Sequence, residues 1–296
     1  MKIIIDTDPG VDDAMALALA KAEPRLDVAA LTTVFGNVSA ATATRNALAL
    51  TEWLDLPVPV AEGAAKPLVL PEFPPVDHVH GPEGFGAMPA PAPTRIKDPR
   101  SAAELIVAEA DGAVLAPIGP FTNVARALEA DPALPQRLDR IVVMGGGLAR
   151  GNVTPHAEAN VWHDPHAARA VLRSGGDVWM VGLDVTDRIL CTRDDFAAME
   201  AASPGAGGLL WRMGAFYLDF YASKGMAGCG LHDPAALIAV TDPDLFDWEE
   251  TGLDVICEGD EIGRTVRADG PPVKVAVGGD LEAVKSRFLE RVSSLP

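Results

Sequence analysis

Apolar and polar residues fall in blocks along the chain rather than alternating singly. Residues 2–7 form a β-branched run and residues 14–21 (AMALALAK) are apolar nearly all round, which predicts a buried strand followed by a buried helix. The alternation continues with a strand in LDVAALTTV (26–34), a helix from Ser39 to Leu54, a strand in PVPVAEG (57–63), a helix near 101–110 and a strand in GAVLAPIG (112–119). RIVVMGG (140–146) and DVWMVGLDV (177–185) predict further strands, with a helix from Pro165 to Arg173 between them. Short strands between Leu253 and Val277 and a helix from Asp280 to about Val292 end the chain. Continuous apolar strands separated by helices predict an α/β fold, an open, mostly parallel sheet with helices on both faces. No repeat or compositional boundary divides residues 1–296, so a single domain is expected. Such sheets bind ligands beyond the carboxyl ends of their strands, and chemistry should be sought there.

Composition narrows the classes of function. A 48% hydrophobic content is ample for a sizeable core and excludes a disordered chain. With 42 acidic against 24 basic residues the net charge is −18, which repels nucleic acid and anionic membranes. Three cysteines without CxxC spacing, Cys191, Cys229 and Cys257, fit a reducing cytoplasm better than a disulfide scaffold. The N-terminus lacks a secretory apolar region, and no run is long enough to span a bilayer. Residues 71–99 hold eight of the 25 prolines and predict a long loop able to cover a site.

The strongest chemical signal is IIIDTDPGVDDAMAL, with Asp6, Asp8, Asp12 and Asp13 at a strand end and in the turn entering a helix. Strand alternation puts Asp6 and Asp8 on one face, and Pro9-Gly10 permits a tight turn that returns Asp12 and Asp13 over the strand end. One or two such acids could simply cap the helix, but not all four. Crowded carboxylates must keep protons or find a cation, and a hard divalent ion suits oxygen ligands, calcium first and magnesium second. An EF-hand is a poor alternative, because Leu17 stands where its bidentate Glu would be.

DTDPGVDDAMAL resembles the N-terminal signature of the inosine-uridine-preferring nucleoside hydrolases. Further landmarks follow in that family's order over about residues 1–240: TVFGN ending at Asn37, VHGPEG (79–84), APIGPFTN (116–123), VVMGGG (142–147), GNVTPHAEAN (151–160), GLDVT (182–186) and LHDPAAL (231–237). The resemblance implies a Rossmann-like fold and a calcium ion held by Asp8, Asp13, the carbonyl of Ile118 and Asp233. It further implies Asp12 as the general base acting on a calcium-bound water, with two ribose hydroxyls at the remaining calcium positions beside Asp12 and Asp233. Asp6 would then support the turn rather than ligate. A cytoplasmic homodimer or homotetramer acting on a small-molecule ribonucleoside is what the family would lead one to expect.

Hydrolysing an N-ribosidic bond passes through a ribose cation, so the protein must activate water, hold the ribose and help the base leave. Asn152, Glu158 and Asn160 offer amides and a carboxylate to ribose hydroxyls, although an ordinary polar loop would look similar without the family match. Asn37 is a weaker candidate for water or ribose, with helix capping as its alternative. His232, beside Asp233, is the candidate donor to the leaving base. His80 either lines the pocket or faces solvent. Tyr217 and Tyr221, four residues apart on one predicted helix face, could contact the nucleobase or pack in the core. Two rivals remain open at this stage. A DxD-type phosphatase is disfavoured by Pro9 after Asp8, and a calcium-dependent nucleoside or sugar binding module without turnover is disfavoured by the presence of Asp12.

Overall fold

The computed structural model describes residues 1–296. Ten strands form: β1 (Lys2–Thr7), β2 (Asp27–Thr33), β3 (Val60–Glu62), β4 (Val114–Pro117), β5 (Arg140–Met144), β6 (Val178–Val181), β7 (Leu190–Thr192), β8 (Gly228–Gly230), β9 (Phe246–Val255) and β10 (Thr265–Gly279). Eight of them make one sheet in the order β3-β2-β1-β4-β5-β6-β10-β9, parallel except for the β9–β10 pair. β7 and β8 pair separately. The parallel strands are apolar on both sides because helices cover both faces. One apolar cluster gathers Ile3, Ile5 and Met15 with the Leu237 side, and another gathers Ile4, Leu115 and Val143 on the opposite face.

Sheet order places the reversal of strand order beside β1, with β2 added on one side and β4 on the other. The carboxyl ends of β1 and β4 therefore open a crevice, as doubly wound sheets do. Ile118 and Gly119 donate backbone N–H to the Asp6 carbonyl at 2.8 and 3.3 Å, which fastens the loop after β4 to the end of β1.

Several boundaries differ from the sequence reading. The first helix spans Val11–Ala22 rather than beginning near residue 14, so Asp12 and Asp13 occupy its first turn. The strand expected over 177–185 stops at Val181, because Leu183–Thr186 coils into a helical turn where the chain leaves the sheet. The short strands expected between 253 and 277 are instead two long antiparallel strands with irregular register. Only one side of that ribbon's outer strand is paired, and its polar residues lie outward. The apolar periodicity is correspondingly diluted. Inside the proline-rich loop, Asp77–His80 forms one helical turn.

Candidate active site

A cavity of about 770 Å³ opens at this crevice. Its walls bring together Asp12, Asn37, His80, Ile118, Asn152, Glu158, Asn160, Tyr217, Tyr221, His232 and Asp233, residues spread from one end of the chain to the other. Asp8 and Asp13, the other two implied ligands, are buried and adjoin Asp12 in the turn.

The acid turn is built from its own backbone. Asp13 reaches back from the first helical turn and accepts from the backbone N–H of Gly10 at 2.9 Å and of Asp8 at 3.1 Å, from the Thr7 hydroxyl, and from the Asn37 amide at 3.1 Å. It therefore caps the helix and also belongs to the cluster. Oxygens of Asp12, Asp13 and Asp233 lie within 4.8 Å of one another, all buried. One Asp8 oxygen accepts the Asn37 backbone N–H at 2.6 Å, while the other, Oδ1, is sealed from solvent without a partner. A side chain at Gly36 or Gly119 would collide with Asp8, its Cβ lying 2.0 and 2.5 Å from the nearer carboxylate oxygen. Asp6 stands apart: its Oδ1 accepts from the Thr32 hydroxyl at 2.6 Å and the Asn123 amide at 2.8 Å, while its Oδ2 is buried without a partner.

These carboxyls repel one another in a dry place. Burial pushes Asp13 up to about 7, and burial with the charge of Asp13 drives Asp8 well above the usual carboxylate range. Burial and the charges of Asp12, Asp13 and Asp8 do the same to Asp233, which has no hydrogen-bond partner in the protein. An orphaned oxygen, an unpartnered carboxylate and a purely oxygen donor set fit a hard cation, which would relieve all three strains. The Ile118 carbonyl faces the same space while accepting the Asn160 amide at 2.8 Å.

Opposite the acids, the Ala206–Ser223 helix delivers two tyrosines at adjacent turns. Tyr217 donates to Asp12 Oδ2 at 3.1 Å, its oxygen lies 3.3 Å from the Tyr221 hydroxyl, and Tyr221 lies 2.9 Å from His232 Nε2. His232 Nδ1 is 2.8 Å from the Thr186 hydroxyl. With Tyr217 giving its proton to Asp12, one consistent arrangement runs donor to acceptor from His232 through Tyr221 and Tyr217 to Asp12. The tyrosines are thus neither purely core nor purely surface. Tyr217 is 1% exposed yet hydrogen-bonded at the cavity.

His80 is buried rather than solvent-facing, and its ring stacks on Tyr217 at 5.1 Å. Its Nδ1 accepts the Val11 backbone N–H at 3.3 Å, and burial pushes the imidazole down toward its neutral form. The 3.7 Å approach of Nδ1 to Asp12 is therefore a contact of a neutral ring and not an ion pair. Asn37 is not a helix cap, since Ser39 does that work. Its amide holds Asp13.

The proposed ribose loop is mixed. Glu158 caps the Ala159–His163 helix, its oxygens accepting backbone N–H of Asn160, Gly146 and Val161 at 3.0, 2.8 and 3.2 Å, and burial still pushes it up to about 7. The Asn160 amide is spent on the carbonyls of Ile118 and Met144, which leaves its Oδ1 for a ligand. Asn152 accepts the Ala159 N–H at 3.0 Å on an exposed loop. Sequence reasoning passed over Thr7, Asn123 and Thr186, which orient site residues, and the cavity-lining Phe73, Trp162, His163 and Phe220. His163, three residues after Asn160 on the same helix, was the one findable by spacing.

Comparisons with known proteins place this chain in a family. A family model described as inosine-uridine preferring nucleoside hydrolase matches residues 3–286. Uridine nucleosidase 1 of Arabidopsis thaliana is 39% identical over 98% of this chain and 93% of its own length. The inosine-uridine preferring nucleoside hydrolase of Crithidia fasciculata is 36% identical over 90% and 87%. Among solved structures, a purine-preferring ribonucleoside hydrolase from Gardnerella vaginalis superimposes with a TM-score of 0.95 at 34% identity, covering 99% of this chain and 98% of that one.

Proposed function

This chain belongs to the inosine-uridine preferring nucleoside hydrolase family and is an N-ribohydrolase, and from that premise we propose a calcium-dependent mechanism with Asp12 as base and His232 as acid. The observation that carries the proposal is the convergence of Asp12, Asp13 and Asp233 oxygens within 4.8 Å beside the orphaned Asp8 Oδ1, at the carboxyl end of β1. Asp8, Asp13, Asp233 and the Ile118 carbonyl would hold the ion. Calcium bound there supplies a fixed positive centre that orients ribose hydroxyls and makes water more acidic.

Asp12 lines the cavity and takes the proton of the attacking water. The oxygen of that water joins the anomeric carbon as the carbon–nitrogen bond breaks, and the bonding electron pair leaves with the base. His232 gives the departing base a proton. The Tyr221–Tyr217 chain ties His232 to Asp12 and fixes both side chains, and between turnovers Asp12 gives its proton to solvent while His232 regains one from it. Asn160 Oδ1 and the Asn152 side chain meet the ribose, with Glu158 setting the helix that presents Asn160. His80, stacked on Tyr217, walls the cavity over Asp12. The whole chain would act as one catalytic domain.

The deciding experiment measures free-base release from inosine, adenosine, guanosine, uridine and cytidine with calcium, and again after chelation and dialysis. Calcium-restored release establishes the ion, and the ranking establishes base preference. Stoichiometric calcium binding with every nucleoside left intact would favour a binding module instead.

A further inference from the structure

The 71–99 segment carries His80 to its place above Asp12 although most of its prolines are solvent-exposed. Phe85, buried against Trp53 at 5.4 Å, and the Val76 N–H on the Asn37 carbonyl at 3.0 Å anchor it on either side of His80. Neither contact touches the backbone between Asp8 and Asp12. His80 reaches that backbone by one bond, its Nδ1 accepting the Val11 N–H at 3.3 Å, and a second connection, made by the segment's main chain, comes from a polar residue in the middle of the Ala40–Trp53 helix, where asparagine is normally disfavoured.

Asn46 is fully buried and every polar atom of its side chain is used. Its Nδ2 donates to the Pro9 carbonyl at 3.0 Å and to the Glu83 carbonyl at 2.7 Å. Its Oδ1 accepts from Arg45 Nε and Nη2 at 3.2 and 3.0 Å. Arg45 Nη1 in turn reaches Glu83 Oε1 at 3.1 Å, and Glu83 Oε2 accepts the Ala90 N–H at 2.9 Å. Pro9 lies in the acid turn. Glu83 follows His80 by three residues, and the Gly86 N–H closes that bend on the His80 carbonyl at 2.8 Å. One amide group thus joins the turn that bears Asp12 to the bend that bears His80.

We propose that Asn46 is a positioning residue that holds the His80 wall in register with the acid turn, so that a bound nucleoside meets His80 and Asp12 in a fixed relation. The role rests on the reading of this cavity as the nucleoside site. Asn46 touches no substrate and acts through the two carbonyls. Gly84 supplies an independent way to disturb the same joint. Its backbone has φ +84°, and a Cβ there would lie 2.7 Å from the Pro9 carbonyl and 2.8 Å from Asn46 Nδ2.

The test compares Asn46→Ala and Gly84→Ala, each alone and combined with His80→Ala, by steady-state hydrolysis of the best nucleoside with calcium present, and by amide hydrogen exchange over residues 76–90. Each single variant should raise KM about tenfold with kcat within about threefold of wild type, the scale of one or two lost hydrogen bonds. In the His80→Ala background the further loss should shrink to about twofold or less, because the residue acts through His80. Exchange over 76–90 should quicken. A lowered kcat with unchanged KM, or a loss that persists in full without the His80 ring, would mean a merely structural role and overturns the proposal. If Asn46→Ala fails to fold, Gly84→Ala decides on the same criteria. If wild type leaves every nucleoside intact, the hydrolase mechanism falls on that result alone, and unaltered exchange in Asn46→Ala would separately refute the clasp.

Discussion

Removing calcium and raising the pH should destabilise this protein together, and the size of the effect follows from the acid turn. Burial pushes Asp13 up to about 7, and burial with the neighbouring carboxylate charges drives Asp8 and Asp233 well above the usual carboxylate range. In the unfolded chain a carboxyl of this kind ionises near pH 4, so the metal-free folded state binds more protons across the interval. Its contribution to stability is fully present below about pH 4 and is lost as pH rises through about 7. Between pH 5.5 and 8 a single group with those two values gives up about 2 kcal/mol. Asp8 and Asp233 act in the same direction. His163 opposes them, since burial pushes it down to about 4 and its penalty fades as pH rises, but it does so with or without metal and cancels from the difference. A bound divalent cation pairs the ionised carboxylates, so its stabilising increment must grow with pH. At about 2–4 °C per kcal/mol for a large domain, the gap in Tm between calcium and EGTA should widen by about 5 °C or more from pH 5.5 to pH 8. Calorimetric titration near pH 6.5 in two buffers of different ionisation heat should also show on the order of one proton released per calcium bound. A gap that stays constant or narrows toward pH 8, with no proton release, would refute the argument that these carboxyls carry protons until a cation replaces them.

Three substitutions probe the assigned roles separately. Asp12→Asn should keep the calcium-dependent gain in Tm while kcat falls by about 10²–10⁴, the usual worth of a general base, and normal turnover in this variant would remove Asp12 from that role. His232→Ala should slow natural nucleosides far more than p-nitrophenyl riboside, whose leaving group departs unaided; equal losses on both would make His232 structural. Gly36→Ala should weaken calcium binding about 10–100-fold in a calcium titration, because its Cβ would stand 2.0 Å from Asp8 Oδ2 and displace that carboxylate. Calcium affinity unchanged there would show that Asp8 does not hold the ion.

Much of this architecture was legible in local pattern. β1, β2, β4 and β5 are short apolar runs whose polar residues fall only at their ends, so the sequence places them to within about two residues. The β9–β10 ribbon is poorly legible in local pattern because an outer antiparallel pair exposes one face and mixes polar residues into it. The acid turn was legible for a chemical reason. Four carboxylates in eight residues cannot all be ionised and dry unless a cation joins them.

The reach of those residues was a different matter. Sequence alone determined the strand–helix alternation, the crowding of Asp6, Asp8, Asp12 and Asp13, and, by the order of its motifs, the kind of chemistry to expect. It left His80 between wall and solvent and the two tyrosines between core and site, because burial and hydrogen-bond partners depend on chain segments far apart. Only the tertiary structure brought Tyr217 to Asp12 across 205 residues, set Glu158 to work as a helix cap, and gave Asn46 two carbonyls from segments 37 residues before and after it. A carboxylate announces its charge wherever it stands, whereas an amide or hydroxyl acquires a role only from the partner that folding places within about 3 Å of it.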